Sequence, residues 1–395
     1  MTAPADEVAL IEGAAAEYIT MSPAIAARLE PLAAGGPLAR AVAAQLLAQT
    51  HKPALMERAR QLADDARAAT GGLSGRERHL VEASWHWTRG DVERTLAQLD
   101  AVVTDHPTDL HTLRSRYLLQ FATGRLDAML AGVQAVRPAW AGAGLPLASY
   151  LDGMESFALE ENGRYDEAEP LGRQGVAADP DDLWAIHAVA HVLEMEQRRD
   201  EGVAWIGRDN SGLEGRTGFA GHLWWHQALA LWALGRHDDA LDSFDRHIYP
   251  GRSEEGLDLT NAIALLARLD AAGADVGTRW ERLVAPAQVR MGQHSHPFND
   301  THMVLGLSRA GRHDEVAAML AGMTAWSTRT DDHAADVLRR VGLDVAHGLA
   351  AYGRGLWREA VTHLAPATDQ WWRLGGSHAQ RQLYRVALDT AEARS

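Results

Sequence analysis

At 395 residues the chain is longer than one hydrophobic core usually supports, so it holds either several domains or a repeat array that extends its core in one dimension. Hydrophobic residues make up 46% and charged residues 23%, a globular balance, and 13 tryptophans against 5 Phe and 7 Tyr call for deep helix crevices. A net charge of −15 with no basic stripe argues against a nucleic-acid partner, Lys52 as the only lysine argues against Schiff-base chemistry, and the lack of cysteine removes disulfides, thiolate metal ligands and a cysteine nucleophile.

The N-terminal stretch is acidic and lacks the basic and then apolar pattern of a signal peptide. No segment reaches the roughly 18 uninterrupted apolar residues of a membrane span. A cytoplasmic protein without a membrane partner is expected. Helical periodicity covers Ala41–Ala48 and Met56–Ala69, and residues 1–78 read as an N-terminal helical cap. From residue 79 to 395 a turn pattern recurs: glycine, two intervening residues, acidic or polar residues, then a small residue. It reads Gly163-Arg-Tyr-Asp-Glu-Ala168, Gly235-Arg-His-Asp-Asp-Ala240, Gly311-Arg-His-Asp-Glu-Val316 and Gly355-Leu-Trp-Arg-Glu-Ala360, with weaker forms at Gly90 and Gly124. Glycine takes the left-handed conformation that ends one helix, and the acidic residues favour the start of the next. Degenerate turns at Gln197 and Gly273 complete a register of 90, 124, 163, 197, 235, 273, 311 and 355. Pro107 and Pro180 each follow a turn by 17 residues, with Asp109 and Asp182 two positions later where a helix should start. Pro138–Pro146 and Gly207–Gly218 read as loops, and nothing alternates like a strand.

This period resembles the tetratricopeptide repeat, which implies an all-α, right-handed α-solenoid of helix hairpins. The resemblance also implies that the first helix of each pair lines a concave groove through positions about 13, 10, 6 and 3 before the turn. His187, His191 and Glu194 stand 10, 6 and 3 before position 197; His222, Trp225 and Trp232 stand 13, 10 and 3 before Gly235; and Glu160 stands 3 before Gly163. His226 and His302 fall one residue off that stripe. By spacing alone, His187, His191 and Glu194 share one helix face, and His222 and His226 share another.

The strings Asp105-His-Pro-Thr-Asp109, Trp184 to Met195, His222-Leu-Trp-Trp-His226, Asp245-Arg-His-Ile248, Phe298-Asn-Asp-Thr-His302 and Gly375 to Arg381 further resemble the tetratricopeptide repeat protein 38 family, over about Trp85 to Arg381. The chain departs from that family at Gly221 and Leu223, which flank His222 where the family has Cys and Asn, and at Gln382, where it has Asp. The resemblance implies a fold and no settled activity.

Three readings of the histidines stay open. They are core residues satisfied by Glu194, Asp300 or backbone; or His187, His191, His222 and His226 hold a divalent metal; or His187, His191, Glu194, His222, His226, Asp300 and His302 are a catalytic acid–base or hydrolytic set acting on a small molecule. Candidate ligand contacts are Glu160, Trp184, Trp225, His294, Asn299, His378 and Arg381. The chemical readings require His187, His191, His222, His226 and His302 to lie in one pocket. The non-enzymatic alternative is a scaffold that binds a protein partner, with structural histidines. Against it, such grooves offer amide and basic side chains, whereas this stripe offers His, Glu and Trp.

Overall fold

A computed structural model describes residues 4–208, 213 and 219–395. Most of the loop expected at Gly207–Gly218 lies outside the described residues. Among those described, every regular element is helical and none is a strand.

Helices α1 (Ala5–Ile19), α2 (Ile25–Ala34), α3 (Pro37–Ala48) and α4 (Pro53–Ala68) bury a small-residue core of Leu32, Ala39, Ala43, Ala59 and Ala63. Proline opens both α3 and α4, where its missing N–H costs no helical hydrogen bond. A capping box between Ser74 and Glu77 starts α5 (Gly75–Trp87), which pairs with α6 (Val92–Asp105). Then follow α7 (Leu110–Ala122), α8 (Leu126–Trp140), α9 (Tyr150–Glu161), α10 (Tyr165–Ala178), α11 (Leu183–Met195), α12 (Arg199–Gly207), α13 (Phe219–Ala233) and α14 (His237–Ser243). Neighbouring helices pack on one another throughout this run. Pro138 is accommodated inside the last turn of α8, so the loop expected at Pro138–Pro146 begins at Ala141.

The second half contains α15 (Gly256–Ala271), the short α16 (Arg279–Arg282) and α17 (Val284–Arg290), then α18 (Pro297–Arg309) paired with α19 (His313–Trp326). A five-residue helix α20 (His333–Val337) runs through a π-turn into α21 (Leu343–Gly353), which pairs with α22 (Trp357–Leu364). The chain ends in a 3₁₀ stretch and α23 (His378–Arg394), which starts at a second capping box, Ser377 with Gln380.

All eight registered turn positions are left-handed, with φ from +60° at Gln197 to +84° at Gly273. The carbonyl pairing at Gln197 copies its glycine neighbours: Gln197 N–H donates to Glu194 O at 3.0 Å and Arg198 N–H to Leu193 O at 2.9 Å, as Gly163 and Arg164 do one unit earlier. Asp109 and Asp182 cap α7 and α11 as expected, Asp182 accepting from Trp184 and Ala185 N–H at 3.0 and 3.1 Å.

The C-terminal helix folds back on earlier ones. Helix α23 packs against α11, α15, α21 and α22. Buried Arg268 on α15 donates to Ala379 O at 2.8 Å, and Tyr384 shares a 3.0 Å hydrogen bond with Thr301. Residues 50–90 also meet the second half of the chain. Arg290 donates to Thr50 O at 2.6 Å, Lys52 pairs with Glu255 at 2.6 Å, and His333 N–H reaches Gly90 O at 3.0 Å. No helix of the described residues is long and apolar enough to cross a membrane.

Candidate metal centre

Helix α11 is buried along its whole length from Leu183 to Glu194, a consequence of the apolar run between its histidines and of its place between α9 and α13. Spacing of i, i+4 puts His187 and His191 on one face of α11, and the same spacing puts His222 and His226 on the facing side of α13. The four rings meet edge to edge and tilted, with centroids 4.4–5.1 Å apart, and none is more than 3% exposed. One nitrogen from each lies within 4.8 Å of the others. The His187 and His222 Nε2 atoms approach to 3.1 Å.

Three of the four have an acceptor facing Nδ1. His222 Nδ1 donates to Asn261 Oδ1 at 2.9 Å. Glu160 Oε2 lies 3.3 Å from His191 Nδ1, and Glu194 Oε2 lies 3.5 Å from His226 Nδ1. An acceptor on Nδ1 fixes the proton there and turns the Nε2 lone pair inward, the arrangement usual behind metal-bound imidazoles. The contacts from Glu160 and Glu194 are too poorly aligned or too long to count as full hydrogen bonds. Both ring nitrogens of His191 and of His226 are left buried without a hydrogen-bond partner, as are His187 Nδ1 and both oxygens of Glu160.

Burial dominates the electrostatics. It pushes His191 down to about 3 and His226 down to about 4, and drives His187 and His222 well below the ordinary imidazole value, with the neighbouring rings adding to the shift at His187, His222 and His226. All four are therefore neutral, which is the ligating form. Burial, with the Glu194 charge added, pushes Glu160 up to about 8, and burial with Glu160 beside it raises Glu161 as well. Burial also acts to raise Glu194, but the facing His226 Nδ1 and the Arg199 and Arg268 guanidinium charges outweigh that and hold it low.

The remaining expected residues divide. Trp225 stacks on His222 at 5.2 Å, while Trp184 stacks on Phe219 and carries the Arg114 guanidinium 3.9 Å over its ring. His378 and Arg381 reach this region from α23: the backbone N–H of His378 donates to Glu161 Oε1 at 3.1 Å, and Arg381 lies 4.0 Å from Glu161 Oε2. His302 does not join the quartet. It donates from Nδ1 to Phe298 O at 2.8 Å and packs on the Phe298 and Tyr384 rings. Asp300 lies two residues from it and so on another face of α18, 3.3 Å from His294. Asn299 lines a separate cavity. The five-histidine pocket therefore reduces to four, and a hollow beside them, next to Glu194 and His226, holds about 10 Å³.

Sequence reasoning missed Glu161, Asn261 and Arg268. Arg268 carried a legible signal, a lone arginine in the apolar run Ala262–Leu269. Glu161 sits one position past Glu160 and joins it only because α23 closes over both. No family model matches the chain.

Proposed function

We propose that the chain is a helical-repeat metalloprotein in which His187, His191, His222 and His226 hold one divalent transition ion. The observation that carries this is a dry group of four neutral imidazoles with converging nitrogens, three of them backed at Nδ1 by Asn261, Glu160 or Glu194. Nitrogens bound at 2.0–2.1 Å around a tetrahedral ion stand about 3.3 Å apart, close to the 3.1 Å between His187 and His222 Nε2. An all-imidazole set suits zinc, copper, nickel or iron over magnesium or calcium. With so little free volume at the quartet, the ion acts as a cross-link between α11 and α13, and a substrate-hydrolysing centre is disfavoured. Packing of α23 against α11 and α15 likewise disfavours a peptide groove there.

The helix pairs are read as tetratricopeptide-type repeats of a right-handed solenoid over residues 79–395, with residues 1–78 as a cap. The turn register and the shared left-handed turn support this, and the strings around His187, His222 and Phe298 support kinship with the tetratricopeptide repeat protein 38 family.

Elemental analysis of untagged protein, loaded in turn with zinc, iron and manganese and then desalted, tests the centre. About one tightly held ion per chain is expected, falling to near zero in His187→Ala/His222→Ala. Content far below one ion per chain after every loading overturns the proposal and leaves the histidines as core residues.

A further inference from the structure

A second feature lies away from the quartet. A cavity of about 480 Å³ opens where the N-terminal helices meet the second half of the chain, bounded by the α3–α4 turn, the α5–α6 turn and the end of α7 on one side. The starts of α15 and α18, the α19–α20 loop and the segment before α23 bound the other. Its size falls within the range of small-molecule sites.

The walls are aromatic: Trp87, Phe121, Phe298 and Trp326. Between them stands a built polar group. His51 is held at φ +52°, a left-handed conformation unusual for a histidine, with Nδ1 2.9 Å from Ser295 Oγ and its ring packed on His296 at 4.7 Å. His296 Nδ1 accepts the Asn299 N–H at 3.4 Å, so its proton resides on Nε2 and that atom is a donor.

Charge separates this cavity from the rest of the molecule. The chain as a whole carries 38 basic and 53 acidic residues, but four guanidinium groups line the cavity, from Arg60, Arg89, Arg329 and Arg373, against two carboxylates. Both carboxylates are engaged: Glu255 pairs with Lys52 at 2.6 Å, and Asp332 caps α20 through the Ala335 N–H at 3.0 Å and lies 3.5 Å from Arg329. Arg60 and Arg89 also pair outside the lining, with Glu57 at 3.5 Å and Asp64 at 2.5 Å, while Arg373 donates to the neutral Gln370 amide at 2.5 Å. Guanidinium groups thus outnumber carboxylates in the lining, and aromatic rings stand beside them.

We propose that this cavity binds an anionic small molecule with an aromatic body, such as an aromatic carboxylate or sulfonate. The rings take the planar part, and the arginines with the His296 N–H take the anionic end. The site does not depend on the metal centre, although α15 links the two: Thr260 lines the cavity, and the next residue, Asn261, holds His222.

Two fluorescent probes with nearly the same ring body test this, anilinonaphthalene sulfonate and the uncharged N-phenylnaphthylamine, titrated into the full chain well below its melting temperature. The expected result is saturable binding of the sulfonate at one site per chain, about tenfold or more tighter than the neutral probe. Arg329→Glu/Arg373→Glu should weaken the sulfonate at least about tenfold and leave the neutral probe within about twofold. Arg329→Gln/Arg373→Gln should give an intermediate loss, with helical content and melting unchanged in both. Non-saturable binding, equal affinity for the two probes, or a sulfonate affinity indifferent to the charge reversal overturns the proposal.

Discussion

His191→Leu separates a metal ligand from a core histidine. His191 is fully buried, and neither ring nitrogen has a hydrogen-bond partner. In metal-free protein the substitution removes two unsatisfied polar atoms and inserts an apolar side chain of similar size among Phe157, His187 and His226. The expected change in unfolding free energy is small, within about 1 kcal/mol, because an unsatisfied buried nitrogen contributes a penalty rather than a bond. Zinc alters the comparison. At a free concentration of about 100 times Kd, a single site stabilises the wild type by ~2.7 kcal/mol. With an unfolding entropy of ~2.1 cal/mol/K per residue, that moves the melting temperature of a 395-residue chain up by about 3 °C if it unfolds as one unit. The variant keeps three imidazoles and should show little of the rise. Differential scanning calorimetry of both proteins, with and without zinc, provides the four numbers. A metal-free loss above ~3 kcal/mol in His191→Leu, together with no zinc shift in the wild type, would refute the reasoning and make His191 a structural residue.

Asn261→Leu leaves the four imidazoles in place but removes the acceptor that fixes the His222 tautomer, so zinc affinity by competition with a chelator should fall about 10–100-fold. In metal-stripped protein, Glu160→Gln should flatten a pH slope. Unfolded Glu160 titrates near 4.5 and the folded group near 8, so between those values the folded state holds a proton that the unfolded state has released, and stability falls as pH rises. The histidines act oppositely, since their folded values lie below 6.5; their contribution rises with pH up to there and is flat above it. Between pH 7 and 8 the carboxylate dominates, so urea titrations should show a wild-type decline of up to ~1.4 kcal/mol per unit from Glu160 that the variant lacks. Gln197→Gly should raise stability by about 0.5–1 kcal/mol by relieving a left-handed glutamine on the surface, and Gln197→Ala should give no such gain.

Much of the local fold was legible because the turn chemistry is local. Glycine at φ near +74° and an acidic residue at the next helix start are readable without tertiary information, and even Gln197 was placed by the spacing of its neighbours. The i, i+4 pairs in α11 and α13 were legible for the same reason, since helix geometry alone puts each pair on one face. Their convergence needed the repeat register, which sets α13 against α11. The limits of that register are equally physical. Nothing in the spacing says that α23 packs back on α11 and α15, so the face expected to line a groove is instead closed, and Arg268 reaches Ala379 O. His302 lies one residue off the stripe, as His226 does, yet only His226 joins the quartet. For His302 the α18 carbonyl of Phe298 and the Tyr384 ring from α23 are nearer partners, and those contacts depend on chain closure.

The energetic argument for a ligand at the quartet is that a core needing only to be filled would be filled more cheaply by leucine. Each buried polar atom without a partner costs about 1–3 kcal/mol, and here several coincide on His187, His191, His226 and Glu160. Together they are comparable with the ~5–15 kcal/mol that separates folded from unfolded domains. Mutual hydrogen bonding satisfies only part of the group, because each neutral imidazole has one donor and one acceptor and the outer carboxylates and amide face the Nδ1 side. His187 Nε2 donates to His222 Nε2 at 3.1 Å, but the inward nitrogens of His191 and His226 find no donor. A cation at their centre satisfies the inward nitrogens at once, and it also favours the ionised form of Glu160, which burial and the Glu194 charge drive toward neutrality.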